Sequence, residues 1–141
     1  GPTVAQSTKW ISDTAVEVQV SPGIGKGHEV LLNIAHSSFN TNFSFSYLDP
    51  QVSALLPPYQ NGTLPAVTVH GKYFGAADYS ARAFVGESSC SFSRWTSDSS
   101  LICQVPPGVG SNCLSVRVGE DESLCNANFT YLAPPVIDSI N

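Results

Sequence analysis

Residues 98–118 carry the pattern that most limits what this chain can fold into, because the same pattern stands 85 residues earlier. In the later copy Leu101, Cys103 and Val105 take every second position. Pro106, Pro107, Gly108 and Gly110 then interrupt, and Leu114, Val116 and Val118 again take every second position. Side chains of a strand alternate between its faces, so each run reads as a strand with one buried face, joined by a turn. The earlier copy runs from Asp13 to Ile34. It has Val16, Val18 and Val20, then Pro22-Gly23-Ile24-Gly25, then Val30, Leu32 and Ile34.

The correspondence extends in both directions. Trp10 matches Trp95, Asp13 matches Asp98, Val20 matches Val105, Pro22 matches Pro107 and Gly25 matches Gly110, each pair 85 apart. After one deletion in the turn the spacing becomes 84, and Val30 meets Leu114, Phe45 meets Phe129, Tyr47 meets Tyr131, Pro50 meets Pro134 and Val52 meets Val136. So regular a period predicts tandem units of about 84 residues. Residues 1–49 are then the C-terminal half of one unit, 50–133 a complete unit, and 134–141 the first strand of the next. Gly1-Pro2 reads as a protease-cleavage scar, and the chain is expected to be an excised piece of a longer protein.

Between these landmarks the chain reads as short strands. Val16–Val20 and Val30–Ile34 are followed by a polar turn at Ser37-Ser38 and a strand through Phe43, Phe45 and Tyr47. In the complete unit, strands are expected at Val52–Leu56, Ala66–His70, Arg82–Val85, Ser89–Trp95 (carrying Cys90), across the two runs described above, and at Leu124–Leu132. Asn61-Gly62 is a turn signal. Phe74, in the Gly71–Gly75 loop, is placed to plug one end of the core. No segment of ten or more residues has helical periodicity. Short strands separated by Gly, Pro and Ser turns predict an all-β sandwich.

The repeat also sorts inward from outward positions. Ile102 matches Glu17, so it is expected to face outward or into an interface, whereas Cys103 matches Val18 and faces the core. The four cysteines, Cys90, Cys103, Cys113 and Cys125, match Ala5, Val18, Glu29 and Thr41, so the fold does not require them. Their spacings are too wide for a zinc site of the Cys-x-x-Cys type, and an even number in a small β-rich unit favours two disulfides and an oxidising compartment. Of the three connectivities, Cys90–Cys103 across adjacent strands and Cys113–Cys125 across the last hairpin are favoured. Each would close a loop of about a dozen residues, stabilising by roughly 3 kcal/mol at most.

The net charge of −5 comes from 6 basic and 11 acidic residues. Nucleic acid is an unfavourable partner for such a chain, since phosphate binding needs clustered Lys and Arg. No apolar run of about 18 residues is present to span a membrane, so any membrane association is expected through parts outside this chain. No segment reads as a signal peptide.

Taken in order, these residues resemble a known family. The pattern is a Pro-x-Val opening, Val-Thr-Val-His-Gly-Lys-Tyr-Phe at 67–74, Phe-Val-Gly-Glu-Ser-Ser-Cys at 84–90, and Ser-Asp-Ser-Ser-Leu-Ile-Cys-Gln-Val-Pro-Pro-Gly-Val-Gly at 97–110. Leu-Ser-Val-Arg-Val at 114–118, Asn-Phe-Thr-Tyr at 128–131 and Pro134-Pro135-Val136-Ile137 complete it. This looks like the IPT/TIG domain, an immunoglobulin-like sandwich of plexins, Met-type receptors, fibrocystin-like proteins and many surface proteins. The resemblance covers the complete unit and both partial ones. The positions of Cys90 and Cys103 resemble the disulfide of its receptor-type members. It implies a fold and a setting more than an activity.

No constellation for catalysis emerges. His28, His36 and His70 form no metal-binding pair on one strand, and Ser occurs in no Gly-x-Ser-x-Gly elbow. Glu120-Asp121-Glu122 reads as a solvated acidic turn rather than a calcium site, which needs six or more ligands. Gly23–Gly27 lacks the Gly-Lys-Ser/Thr ending of a phosphate loop. Asn42, Asn61 and Asn128 open N-glycosylation sequons, with Asn61 the best placed. Trp10 and Trp95, with Ile102, are the candidate interaction surface, although packing at a strand end is the simpler account of the tryptophans.

The expected protein is therefore not an enzyme and carries no catalytic, cofactor or metal site. It is expected to be an adhesion, recognition or spacer module in the ectodomain of a cell-surface or secreted glycoprotein, with a protein partner. The alternative is a carbohydrate-binding or spacer module of an extracellular enzyme; an intracellular Rel-type DNA-binding member fits neither the charge nor the cysteines. Burying a Val or Leu is worth about 1.5–3 kcal/mol, so the apolar half-sandwich of residues 1–49 is expected to be covered. The candidates for covering it are another copy, a swapped segment or a missing proteolytic partner.

Overall fold

The computed structural model describes residues 4–60 and 63–132. Gly1-Pro2, the Asn61 sequon and the proposed third unit at 134–141 lie outside them. The described chain is all-β. Residues 4–49 form two hairpins: β1 (Ser7–Ser12) with β2 (Ala15–Gln19), and β3 (His28–Ile34) with β4 (Ser37–Phe45). The rest is a two-sheet sandwich. Its first sheet has the order β5 (Gln51–Leu56), β6 (Ala66–Lys72), β10 (Ser100–Gln104), β9 (Phe92–Ser97). Its second has β12 (Asp121–Glu122), β11 (Ser111–Val118), β7 (Arg82–Val85), β8 (Ser88–Ser89), with β13 (Asn128–Thr130) also paired to β11. All named pairs are antiparallel.

The core lies between these sheets and is built from alternate positions. Val67 and Val69 of β6, Ala83 and Val85 of β7, Leu101 and Cys103 of β10, and Leu114, Val116 and Val118 of β11 are buried. Phe74 is fully buried and closes one end, as its position in the loop predicts. Ile102 is half-buried, between Thr68 of β6 and Arg94 of β9. An immunoglobulin-like sandwich is the architecture that such alternation and short turns lead to.

Several local expectations are corrected. Ser37-Ser38 is not a turn. Ala35, with φ +55°, reverses the chain one step earlier, and β4 starts at Ser37. Tyr47 lies beyond the end of β4. The last strand is only Asn128–Thr130, because the chain ahead of it runs as a loop through the bridged Cys125, with Leu124 exposed. Ser89–Trp95 is not one strand either, since the chain changes sheet there. The Cys90 N–H donates to Ala83 in the second sheet, and the next amide, Ser91, donates to Gln104 in the first.

The two halves of the repeat have matching registers. Trp10 pairs with Val16 as Trp95 pairs with Leu101, and Thr8 with Val18 as Ser93 with Cys103. Glu29 pairs with Ser44 as Cys113 with Asn128, and Asn33 with Ser38 as Arg117 with Glu122. Thus β1 and β2 correspond to β9 and β10, while β3 and β4 correspond to β11, β12 and β13. Residues 4–49 contain no counterpart of β5 to β8.

Candidate interaction surface

The absent counterparts leave two strands open. In the sandwich, β10 is paired on one side by β6 and β11 by β7. Their equivalents, β2 and β3, have no partner on those sides among the described residues. The inward-facing side chains are uncovered as a result. Val16, Val18 and Val20 are exposed, as are Ile34, Phe45 and Trp10, whereas Leu101, Cys103, Val105, Val118 and Phe129 at the matching positions are buried. Trp10 is 71% exposed. Its counterpart Trp95 packs against the core and donates its indole N–H to the Gly75 carbonyl at 3.2 Å. One sequence position thus yields a packed anchor in one unit and an exposed ring in the other.

A second surface joins the half-sandwich to the complete domain. Ile24, in the turn between β2 and β3, packs against the domain core, and its Cδ1 lies 3.1 Å from where a side chain on Gly119 would begin. Lys26 bridges Asp49 at 2.7 Å and stands 3.9 Å from Asp121. The hydrogen bond from Lys26 to Asp49, together with the charges of Asp49 and Asp121, raises the Lys26 ammonium above its usual range. A groove of about 440 Å³ runs along this junction, lined by Ile24, Tyr47, Leu48, Tyr73 and Asp98 among others. The Asp98 carboxylate accepts the Gly75 N–H at 3.0 Å and so holds one wall.

Cys90 is bridged to Cys103 and Cys113 to Cys125, with Cα–Cα distances of 5.7 Å in both pairs. The first bridge does not staple neighbouring strands. Cys90 leaves the second sheet and Cys103 belongs to the first, so the bond ties the two sheets together through the core. The second bridge ties β11 to the loop ahead of β13 and is more exposed. Asn42 and Asn128 both have exposed side chains, Asn42 with φ +61°.

The remaining candidates fall in structural roles. His28 bonds through Nε2 with the Ile24 carbonyl at 2.8 Å and meets Tyr47 edge-on. Glu122 accepts from Ser115 and lies 3.5 Å from Arg117, whose guanidinium stacks over Phe84. Among the described residues no three His, Cys, Asp or Glu side chains converge to hold a metal ion, and no helix is long and apolar enough to cross a membrane. The repeat offset already marks residues 1–49 as an uncovered half-sandwich; the strand pairing adds that the free edges are those of β2 and β3.

The fold and these surfaces define an immunoglobulin-like β-sandwich module. The chain belongs to the IPT/TIG domain family, whose model matches residues 50–131. Such domains are typically non-enzymatic and serve protein–protein contact or spacing. No curated protein sequence matches the chain. Among solved structures it is similar to a structural genomics protein of unknown function from Bacteroides thetaiotaomicron VPI-5482. That match has a TM-score of 0.53, 18% identity and coverage of 67% of this chain. The chain spans 23% of that protein's length, and the likeness is one of fold.

Proposed function

We propose that this chain is a non-enzymatic recognition and spacer segment of an extracellular multidomain protein, cell-surface or secreted, acting through protein contacts. The division it implies is half of one IPT/TIG unit at 1–49, a complete unit at 50–133 and the start of a third at 134–141. The observation that carries this reading is the junction. Ile24 of the first unit packs on the core of the second, and Lys26 of the first unit, bonded to Asp49, lies 3.9 Å from Asp121 of the second. An apolar contact of this kind, with Pro50 buried at the unit boundary, couples successive units end to end and suits a stiff array. Two disulfides fit an oxidising compartment.

The test is adhesion. Beads coated with the chain, produced through a eukaryotic secretory route, are expected to bind cells or purified ectodomains and to leave glycan arrays blank. Specific glycan binding without protein binding would overturn the reading in favour of a carbohydrate-binding module.

A further inference from the structure

We propose that the outer face of the sheet formed by β5, β6, β10 and β9 is the surface through which this chain meets its protein partner. That partner presents aliphatic side chains flanked by carboxylates. The inference rests on the protein-contact reading above and gives it a place and a chemistry.

The strand registers build the face. Leu56 of β5 stands opposite Thr68 of β6, Thr68 opposite Ile102 of β10, and Ile102 opposite Arg94 of β9. In the next row Ala66, Gln104 and Phe92 stand side by side. Alternate positions of a strand point the same way, and the intervening residues Val67, Leu101, Cys103 and Trp95 pack in or against the core. Leu56 is 59% and Phe92 53% exposed, with Ile102 half-buried between them. Together they make an apolar patch that crosses the sheet.

The first unit shows that the fold does not require this patch. Its equivalents of Phe92, Arg94, Ile102 and Gln104 are Ser7, Lys9, Glu17 and Gln19, in the same register. There Lys9 stands opposite Glu17, with opposite charges across two solvated strands. In the second unit an isoleucine replaces the acid and a phenylalanine replaces the serine. Both point away from the core, so it is a contact surface rather than the fold that gains from them.

Charge decides the chemistry of the partner. The four strands contain none of the chain's 11 Asp and Glu residues. They carry Lys72 and Arg94, and among the described residues neither has an ion-pair partner. A carboxylate beside the apolar contact would pair with the Arg94 guanidinium. A second copy of the chain does not supply one, because a twofold pairing of this face brings together two surfaces that carry basic residues and no acid.

The probe is a library of random peptides displayed on phage and selected against the native chain. Enriched peptides should combine aliphatic residues with Asp or Glu. They should bind a variant carrying Phe92→Ser and Ile102→Glu, the first unit's residues, on the order of tenfold more weakly or worse. Arg94→Glu alone should weaken them by a similar factor. Both variants should keep the native melting temperature, which separates lost binding from lost fold. A titration of the native chain with an enriched peptide needs no variant, and its amide chemical shifts should move on β6, β10 and β9.

Enrichment of basic or uncharged peptides, shifts that map elsewhere, or equal binding to the variants overturns the proposal, as does a selection from which no binder emerges. The adhesion assay separates this conclusion from the broader one. Beads carrying the double variant that adhere as well as native ones remove this face and leave the protein-contact reading standing. Native beads that bind no protein overturn the broader reading and this one with it.

Discussion

Tyr131 donates its phenol hydroxyl to the Pro106 carbonyl at 2.7 Å, tying the end of β13 back to the turn that leads into β11. The bond recurs in the first unit, where Tyr47 donates to Ser21 at 2.5 Å. The surroundings recur with it. Tyr131 N–H donates to Gly110 and Tyr47 N–H to Gly25, both at 2.8 Å, and each tyrosine meets a phenylalanine edge-on, Phe129 or Phe45. Gly108 and Gly23 are required by the rings themselves, since a Cβ at either would lie within 2.8 Å of the tyrosine. This corner is the structural form of the sequence repeat.

Tyr131→Phe keeps the ring and deletes the bond, leaving a buried carbonyl without its partner. The expected loss is about 1 kcal/mol, read as a lower urea midpoint. Burial raises the Tyr131 phenol above its usual value. A raised value in the folded state means that the neutral phenol is favoured by folding. Its contribution is complete below the unfolded value of about 10 and fades as pH rises through the folded one. Stability of the native chain should therefore fall above pH 10 more steeply than that of the phenylalanine variant.

Two glycine substitutions should differ sharply. A Cβ on Gly71 would sit 1.9 Å from the Gln51 carbonyl oxygen and 2.6 Å from the Phe74 ring. The first of these atoms is backbone on the paired strand β5, so relief means parting β5 from β6. Gly71→Ala should cost about 3 kcal/mol or more. Gly110 has φ +75° and nothing within 4 Å of a Cβ. Gly110→Ala should cost only the strain of a left-handed alanine, about 1 kcal/mol. Denaturant midpoints of the two variants check the order.

The disulfides should be reduced in sequence. Cys103 is fully buried and Cys90 nearly so, while Cys125 is exposed. Thiolate attack needs access to a sulfur, so a mild reductant should open Cys113–Cys125 first and leave Cys90–Cys103 until the sandwich unfolds. Timed alkylation followed by peptide mapping would show the order. Loss of Cys90–Cys103 in the native state at the same rate would contradict the inter-sheet placement.

Ile24→Asp should uncouple the two units. The substitution puts a carboxylate against the domain core, next to Gly119, in place of the apolar side chain that packs there. The complete domain should keep its melting temperature, because its own core is untouched. The distance between spin labels on Ser37 and Ser88 should broaden markedly relative to the native chain.

Much of the complete domain was legible in the residues. The bounds of β7 and the start of β6 coincide with the apolar alternation, and the buried face of β10 follows from comparing Cys103 with Val18 and Ile102 with Glu17. Loops were less legible. Alternation marks a strand only while both faces are used. The segment at Leu124 has apolar residues but runs as an exposed loop tied to β11 through Cys125, and the change of sheet at Cys90 leaves no mark in a period-two pattern. The disulfide pairing was legible as a preference for short loops. Its direction across the core was not, because sequence distance says nothing about which sheet a residue enters.

The sequence by itself determined the all-β class, the repeat spacing, the faces of the strands and the absence of a recognisable reactive motif, since each depends on side-chain chemistry at fixed intervals along the chain. Only the tertiary structure decided what the repeat means at each position. Trp10 and Trp95 are the same residue in the same strand register, yet one is exposed and the other anchored. The difference is the Gly75 turn and the strands that come with it: burial is a property of what lies opposite a side chain, and that is set by the assembled sheets rather than by the residue.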